Sequence, residues 1–244
     1  MTESTDRPTV IVTGGGSGIG HAIVRRALAG GYAVSAWDES EGRLAGMNRP
    51  GLAFRRLDVR DKPAMDDAVA GIVESGGTIV GLAACAAVYK PVPFLELDDE
   101  SWDRHLDINL KGTLLASQAV LPEMRRAGRG AIVMFSSSIA RNGAAGGAHY
   151  AATKGGVLGL ARAMALETAR DGIRVNVISP GVTDTPQPRG HRSQADLDAA
   201  AAANPMGRIG EPEDMAEAAL FLMEDDSSFV TGQDIRINGG RLML

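Results

Sequence analysis

A phenol and an ammonium group stand one helical turn apart in the second half of the chain. Tyr150 precedes Lys154 by four residues, so a helix would place both side chains on one face. A free tyrosine titrates near ~10, and a neighbouring cation favours its phenolate form. We therefore expect Lys154 to lower the pKa of Tyr150, and Tyr150 to transfer protons.

Three consecutive serines, Ser136, Ser137 and Ser138, precede this pair. They follow the apolar run 131–135, which is typical of a buried strand. A hydroxyl at the end of that strand can hold the oxygen of a substrate beside Tyr150. The order of serine, tyrosine and lysine indicates acid/base chemistry on an oxygen-bearing substrate.

A glycine-rich turn near the start of the chain has the properties of a phosphate-binding site. Residues 13–20 read TGGGSGIG and join the apolar run 10–12 to a helical pattern over 21–28. Glycine allows a tight turn and a close approach to a pyrophosphate, and a helix N-terminus offers free N–H groups. The turn therefore predicts dinucleotide binding, with a glycine turn that holds no ligand as the alternative. The predicted contacts come from Gly14, Ser17, Gly18, Ile19 and Gly20.

A second apolar run, residues 33–37, ends in Asp38, eighteen residues after Gly20. A carboxylate at this position accepts hydrogen bonds from ribose hydroxyls and repels a 2′-phosphate. Glu39 follows directly, and the glycine turn itself offers no cation. The pattern predicts NAD rather than NADP as the cofactor, unless Asp38 only begins the next turn.

Strand patterns alternate with helix patterns along the chain. Strands are predicted at residues 10–13, 33–37, 53–57, 79–83, 131–135, 174–178 and 234–237. Helices are predicted at residues 19–29, 62–74, 101–126, 151–171 and 213–223. This alternation is typical of an α/β fold, here a doubly wound parallel seven-stranded sheet with helices on both faces, in a single domain. Ligands bind at the carboxyl ends of the strands in such sheets, where the glycine turn, Asp38 and the serines all lie.

Taken in order, these residues resemble the classical short-chain dehydrogenase/reductase family over essentially the whole chain. The resemblance rests on the glycine turn, Asp58-Val59, Asn109, Ser137, Tyr150, Lys154, segment 176–181, Thr185, and segments 212–214 and 238–240. It implies a Rossmann fold that binds a nicotinamide cofactor and has oxidoreductase activity.

The resemblance implies a catalytic set of four residues. Tyr150 would be the general acid/base, and Lys154 would lower its pKa and bind the nicotinamide ribose. Ser137, thirteen residues before Tyr150, would polarise the substrate carbonyl, which leaves structural roles for the two neighbouring serines. Asn109 would hold a water for a proton relay.

The resemblance also implies contacts to the cofactor outside the glycine turn. Asp58 would bond the adenine amino group, Val59 would pack beside it, and Thr185 would bond the nicotinamide carboxamide. Further contacts are expected from Ala84, Pro180, Gly181 and Thr183. One segment departs from the family: residues 84–87 read ACAA where Asn-Asn-Ala-Gly is common. Loss of the asparagine, and an Ala87 that adopts positive φ less readily than glycine, put local stability in doubt.

Segment 185–210 lacks regular patterning and takes the position of the family's mobile substrate lid. Its Arg189, His191 and Arg192 could receive an anionic substrate or form a solvated basic turn. The family also implies a homotetramer, in which the helices that carry Asn109 and Tyr150 pack against their mates.

The composition argues against several other classes of protein. A net charge of −5 with mixed signs argues against a nucleic-acid partner. The four histidines lack metal-ligand spacing, and the lone Cys85 has the character of a small core residue. No apolar run approaches the ~20 residues that span a bilayer, and the polar start gives no sign of a secretion signal. We expect no metal, no membrane partner and a cytoplasmic location.

The sequence therefore predicts an NAD(H)-dependent enzyme that interconverts a small-molecule secondary alcohol and a ketone. One alternative is a 3-oxoacyl-thioester reductase, which is weakened because such enzymes usually prefer NADP and Asp38 disfavours it. A sugar or polyol dehydrogenase fits Asp38 equally well. The alternative outside enzymes is a catalytically silent dinucleotide-sensing scaffold. The intact catalytic set argues against it: Ser137, Tyr150, Lys154 and Asn109.

Overall fold

The computed structural model describes residues 7–243 and contains one parallel sheet. Its strands are β1 (Pro8–Thr13), β2 (Ala33–Asp38), β3 (Leu52–Arg56), β4 (Thr78–Ala84), β5 (Gly130–Phe135), β6 (Ile173–Pro180) and β7 (Asp234–Ile237). They lie in the order β3-β2-β1-β4-β5-β6-β7, and each neighbouring pair is parallel. The winding direction reverses between β1 and β4, which opens a crevice at their carboxyl ends.

Helices cover both faces of this sheet. They are α1 (Gly18–Ala29), α2 (Lys62–Glu74), α3 (Asp99–His105), α4 (Gly112–Ala127), α5 (Ile139–Asn142), α6 (Ala148–Thr168), α7 (Pro186–Arg189), α8 (Gln194–Ala202) and α9 (Pro212–Met223). Successive strand residues point to opposite faces. Val10 and Val12 therefore join the core under α1 and α9, whereas Ile11 joins the core under α2, α4 and α6. The predicted doubly wound, seven-stranded α/β fold is confirmed.

The chain is helical over the whole of the predicted helix 101–126, but the winding is not α-helical throughout. A π-helical turn at Leu106–Lys111 separates α3 from α4. Such a turn holds one residue more than an α-helical turn and so redirects the side chains within it. The redirected residues include Asn109, which is fully buried.

Segment 185–210 is also more regular than its sequence predicted, because it contains α7 and α8. A capping box begins α8: the Asp196 N–H donates to the Ser193 hydroxyl at 3.2 Å, and the Ser193 N–H donates to the Asp196 carboxylate at 2.9 Å. The serine and aspartate three residues apart are a recognised helix-start signal that the sequence interpretation missed. Within residues 7–243, no helix is long and apolar enough to cross a membrane.

Candidate active site

A cavity of about 500 Å³ lies at the carboxyl ends of the strands. Three of the four predicted catalytic residues line it: Ser137, Tyr150 and Lys154. Asn109 lies outside the lining. The predicted cofactor residues that line it are Gly14, Ser17, Gly18, Ile19, Gly20, Asp38, Asp58, Val59, Pro180, Gly181, Thr183 and Thr185. The fold thus collects residues from six separate segments around one space.

The glycine turn fits a bound pyrophosphate. Gly14 and Gly18 have φ values of 67° and 50°, left-handed conformations that favour glycine. A Cβ at Gly14 would lie 2.9 Å from the Ala86 Cα, so a side chain there would collide with the segment after β4. The hydroxyl of Ser17, the N-cap of α1, makes no capping bond, and the first turn of α1 carries no acid. The free N–H groups and the positive end of the helix dipole are therefore available to an anion.

Asp38 is held beside this turn by backbone donors. Its Oδ2 accepts the Gly16 N–H at 3.0 Å and its Oδ1 accepts the Ser40 N–H at 3.1 Å. A Cβ at Gly16 would lie 2.5 Å from the Ser40 carbonyl oxygen, so only glycine allows this approach. A carboxylate held in this position fits a ribose diol and opposes a 2′-phosphate.

Asp58 is already paired within the protein. The Arg60 guanidinium forks over its carboxylate, with Nε 3.0 Å from Oδ1 and Nη2 2.5 Å from Oδ2. Hydrogen bonding from Arg60 is the main reason that the pKa of Asp58 lies below its ordinary value. A bond from Asp58 to an adenine amino group would therefore share the carboxylate with Arg60. Val59 beside it is buried.

The segment after β4 differs from expectation at two residues. Ala84 is buried and does not line the cavity, because it ends β4 inside the sheet; Cys85, Ala86 and Ala87 line it instead. The Ala86 N–H donates to Thr13 Oγ1 at 3.1 Å, which ties β4 to β1. Within residues 7–243 only glycines have positive φ, so Ala87 carries none of the backbone strain that its sequence position suggested.

Tyr150 and Lys154 lie one turn apart on α6, and both are buried. The Lys154 Nζ donates to the Phe135 carbonyl oxygen at 2.8 Å and lies 5.6 Å from the centroid of the Tyr150 ring. Burial lowers the pKa of Lys154 to about 8. The lysine is therefore close to the protonation change that proton transfer needs near neutral pH.

The pKa of Tyr150 is raised, contrary to the expectation that Lys154 lowers it. Burial is the main cause, and hydrogen bonding from Gln187 and Ser137 offsets only part of it. The physical reason is that one dry region encloses both groups, so desolvation penalises the phenolate as well as the ammonium form.

The three serines have different partners. Ser136 Oγ donates to the Lys154 carbonyl oxygen at 2.8 Å, and the Ser138 N–H donates to the Pro180 carbonyl oxygen at 3.0 Å. Ser137 Oγ accepts the Ile139 N–H at 3.2 Å and keeps its own proton for the phenol or a substrate. These contacts agree with a substrate role for Ser137 and structural roles for its neighbours.

Asn109 links three segments of the site from behind. Its Oδ1 accepts the Val88 N–H at 2.8 Å, and its Nδ2 donates to the Val88 carbonyl oxygen at 2.9 Å and to Thr153 Oγ1 at 3.3 Å. The side-chain amide thus ties the segment after β4 to α6, next to Lys154. The water-holding role stays a prediction.

A family profile described as enoyl-(acyl carrier protein) reductase matches residues 14–241, nearly the whole chain. The chain belongs to the short-chain dehydrogenase/reductase family.

The relatives that the chain resembles match over almost their full lengths. The short-chain reductase protein NovJ of Streptomyces niveus is 38% identical, with 95% of this chain and 92% of the relative covered. The cis-4-hydroxycyclohexanecarboxylate dehydrogenase of Sinomonas cyclohexanicum is 38% identical, with 98% of each chain covered. The (3R)-3-hydroxyacyl-CoA dehydrogenase of Mus musculus is 35% identical, with 96% of this chain and 95% of the relative covered. The relatives named here are oxidoreductases by name, and their named substrates differ.

Sequence reasoning missed two residues of this dehydrogenase site. The ring of Tyr89 packs on the ring of Tyr150, with centroids 4.5 Å apart. Gln187, on α7, lines the cavity, and its side chain lowers the pKa of the Tyr150 phenol. Tyr89 follows the carboxyl end of β4, where ligands bind in such folds, so its position was a usable signal. The position of Gln187 gives no such signal, because its segment has no regular pattern in the sequence.

The segment after β6 brings Thr185 close to the glycine turn. The Gly181 N–H donates to the Ile237 carbonyl oxygen at 2.9 Å, and Thr183 Oγ1 donates to the Gly181 carbonyl oxygen at 3.2 Å. The Thr185 Cγ2 would lie 3.2 Å from a Cβ at Gly18. Thr185 therefore faces the start of α1 across the cavity.

The three basic residues of segment 185–210 differ in their contacts. Arg189 is exposed and paired with Asp184, with Nε 2.5 Å from Oδ1 and Nη2 2.8 Å from Oδ2. His191 and Arg192 instead line the cavity, and the His191 ring meets the Tyr89 ring edge-on at 5.0 Å. Within residues 7–243, no group of three His, Cys, Asp or Glu side chains could hold a metal ion.

Proposed function

We propose that this short-chain dehydrogenase interconverts a secondary alcohol and a ketone, with NAD(H) as its cofactor and Tyr150 as its acid/base. The observation that carries the proposal is the single cavity in which Ser137, Tyr150 and Lys154 face the glycine turn. A hydroxyl donor, a phenol and a lysine around one space are suited to proton transfer at a carbinol oxygen.

The residues that would hold NAD lie along the same cavity. The glycine turn and the N-terminus of α1 would bind the pyrophosphate, and Asp38 would accept the ribose hydroxyls. Lys154 would contact the second ribose, and Thr185 the carboxamide. Bound NAD would supply a hydride acceptor next to Tyr150.

The protein's own residues supply the proton chemistry. In the oxidation direction, the Ser137 hydroxyl holds the substrate oxygen and the phenolate of Tyr150 takes its proton. The substrate carbon loses a hydride in the same conversion, which leaves a ketone. Because burial raises the pKa of Tyr150, the phenolate depends on the nearby Lys154 charge for stabilisation. In the reduction direction, the protonated Tyr150 returns the proton.

A second candidate is the reduction of 3-oxoacyl thioesters. It is favoured by relatives named as a (3R)-3-hydroxyacyl-CoA dehydrogenase and a 3-oxoacyl-[acyl-carrier-protein] reductase. The carboxylate of Asp38 argues against it where NADP is required. A sugar or polyol dehydrogenase fits the same site. A catalytically silent scaffold is less well supported, because it would have no need of the buried Tyr150 and Lys154.

A homotetramer is our proposal for the assembly. On α6, Leu166 is 86% exposed, and the Cβ positions of Gly155 and Gly159 meet open space within the chain. An apolar side chain beside bare helix backbone suits close packing against another helix.

The test is an assay of purified protein with a panel of secondary alcohols, polyols, hydroxy acids and 3-oxoacyl thioesters, each with NAD(H) and NADP(H). Tyr150→Phe keeps the ring and removes the proton-transferring hydroxyl, so turnover should fall by about 10²- to 10⁴-fold while NAD binding persists. Faster thioester reduction with NADPH would favour the second candidate. NAD binding without turnover of any panel member would favour the scaffold.

A further inference from the structure

Charge is distributed unequally along the cavity. The acidic residues of its described lining are Asp38, Glu39 and Asp58, which end or follow β2 and β3. Around Tyr150 the lining instead carries Lys154 and Arg192 and no carboxylate. The end where a substrate meets Tyr150 is therefore electropositive, and the end assigned to the adenosine is electronegative.

Arg192 differs from its neighbour Arg189 in that no carboxylate is hydrogen-bonded to its guanidinium. The carboxylate of Asp184 occupies the Arg189 guanidinium. Among the described residues, the Arg192 guanidinium forms no ion pair and donates no hydrogen bond, although it is partly buried against the cavity. The nearby Asp196 carboxylate accepts the Ser193 N–H and hydroxyl in the capping box of α8 and interacts with Arg192 through its charge alone. A partly buried guanidinium whose N–H donors are unused favours an incoming anion.

Tyr89 places this guanidinium within reach of a substrate at Tyr150. The Tyr89 ring packs on the Tyr150 ring at 4.5 Å and also meets the ring of His191, the residue before Arg192, edge-on at 5.0 Å. The charge of Arg192 also lowers the pKa of the Tyr89 phenol, against the larger effect of burial. A molecule lying along Tyr89 would therefore contact Tyr150 with one end and Arg192 with the other.

We propose that Arg192 binds a carboxylate of the substrate, so that the enzyme acts on secondary alcohols that carry a carboxylate a few bonds from the carbinol carbon. This inference rests on the function proposed above. A planar guanidinium donates two parallel hydrogen bonds to a carboxylate, which would fix the direction of the substrate as well as its affinity.

A phosphate from a carrier thioester is the other anion to consider. In acyl-CoA or acyl-carrier substrates, the pantetheine arm separates the phosphates from the reacting carbon by many bonds. His191, the residue before Arg192, lies instead within two ring contacts of Tyr150, and Arg192 lines the same cavity. This short separation favours a carboxylate on the substrate itself.

The experiment compares matched acid and amide substrates with NAD. The pairs are 4-hydroxycyclohexanecarboxylate with its carboxamide and 3-hydroxybutyrate with its carboxamide, and a third arm uses 3-hydroxybutyryl-CoA. We expect wild type to prefer the acid in at least one pair, and Arg192→Gln to reduce that preference by about 10- to 100-fold, mainly through KM. Arg189→Gln is the matched control, because loss of its pair with Asp184 should affect acid and amide alike.

Several results would overturn the inference. The first two are a wild type that does not prefer the acid, and an Arg192→Gln variant that loses activity equally on acid and amide. The other two are an Arg189→Gln variant that loses the acid preference as strongly as Arg192→Gln, and an effect of Arg192→Gln on the CoA ester alone. Calorimetry of cyclohexanecarboxylate and cyclohexanecarboxamide with the NAD-bound protein separates this inference from the proposed function. Arg192-dependent binding of the acid without turnover would support the anion site and contradict the function. Turnover of the amide without a preference for the acid would support the proposed function and contradict the anion site.

Discussion

The ring of Tyr89 lies on the ring of Tyr150, with centroids 4.5 Å apart and planes inclined by 32°. Tyr89 belongs to the segment after β4, and Tyr150 to the first turn of α6. The contact therefore positions Tyr150, the proposed acid/base, from another segment of the site and keeps water from its ring. Aromatic pairs of this kind contribute about 0.5–1.5 kcal/mol beyond their burial.

Replacement of Tyr89 should alter catalysis through Tyr150. We expect Tyr89→Leu to lower kcat about threefold to tenfold. Because burial raises the pKa of Tyr150, entry of water should also move the pH profile of kcat to lower pH. Tyr89→Phe keeps the ring and should retain both the rate and the profile. An unchanged pH profile in Tyr89→Leu would show that the contact has no positioning role.

Asp38 should decide the choice between NAD and NADP. Its carboxylate stands beside the Gly16 N–H, where it would accept ribose hydroxyls and repel a phosphate. We expect wild type to prefer NAD, and Asp38→Asn, which keeps the shape and removes the charge, to reduce the NAD/NADP ratio of kcat/KM by about 10- to 100-fold. The neighbouring Glu39→Gln is the control and should change the ratio less. A wild-type preference for NADP would contradict the assignment.

Burial of the Lys154 charge, which the proposed function requires, should lower the free energy of unfolding. Burial lowers its pKa from 10.5 to about 8, which corresponds to about 3 kcal/mol of destabilisation while the folded lysine stays charged. Lys154→Met removes this cost but leaves the Phe135 carbonyl oxygen without its donor, a loss of about 1–3 kcal/mol. We therefore expect Lys154→Met to unfold at the same or a higher denaturant concentration at pH 7, although turnover collapses.

The pH dependence of stability in wild type and Lys154→Met shows whether burial of Lys154 destabilises the fold. Between about pH 8 and 10.5 the unfolded chain holds the Lys154 proton and the folded chain has lost it. The free energy of unfolding of wild type should therefore rise with pH relative to Lys154→Met over this window, and the difference should be constant below it. Denaturant titrations at several pH values measure this. A difference that stayed flat above pH 8 would mean that the lysine keeps its proton.

Leu166 should contribute to the assembly. Its side chain is 86% exposed on α6, so a charge there would be buried without a partner if α6 packs against a second subunit. We expect Leu166→Asp to yield smaller species in light scattering after gel filtration. Leu95→Asp is the control, since Leu95 is equally exposed away from α6. An unchanged mass of Leu166→Asp would exclude this face as a contact.

The sequence alone determined what depends on neighbours in the chain. Apolar runs of strand length and amphipathic runs of helix length predicted the seven strands and the doubly wound order of layers. The spacing of Tyr150 and Lys154 predicted one helix face, because an α-helix repeats every 3.6 residues. The glycine turn and Asp38 were recognised for a similar reason: a tight turn and a strand-end carboxylate are local features.

Only the tertiary structure decided which way side chains point and what surrounds them. Asn109 turns toward Val88 because a π-helical turn adds a residue, and no apolar pattern shows that addition. Arg189 and Arg192 are alike in sequence, yet a carboxylate meets only the first. The pKa of Tyr150 rises although a lysine lies one turn away, since burial outweighs the hydrogen bonding that lowers it. Desolvation depends on everything packed around a group, and that packing exists only once distant segments meet.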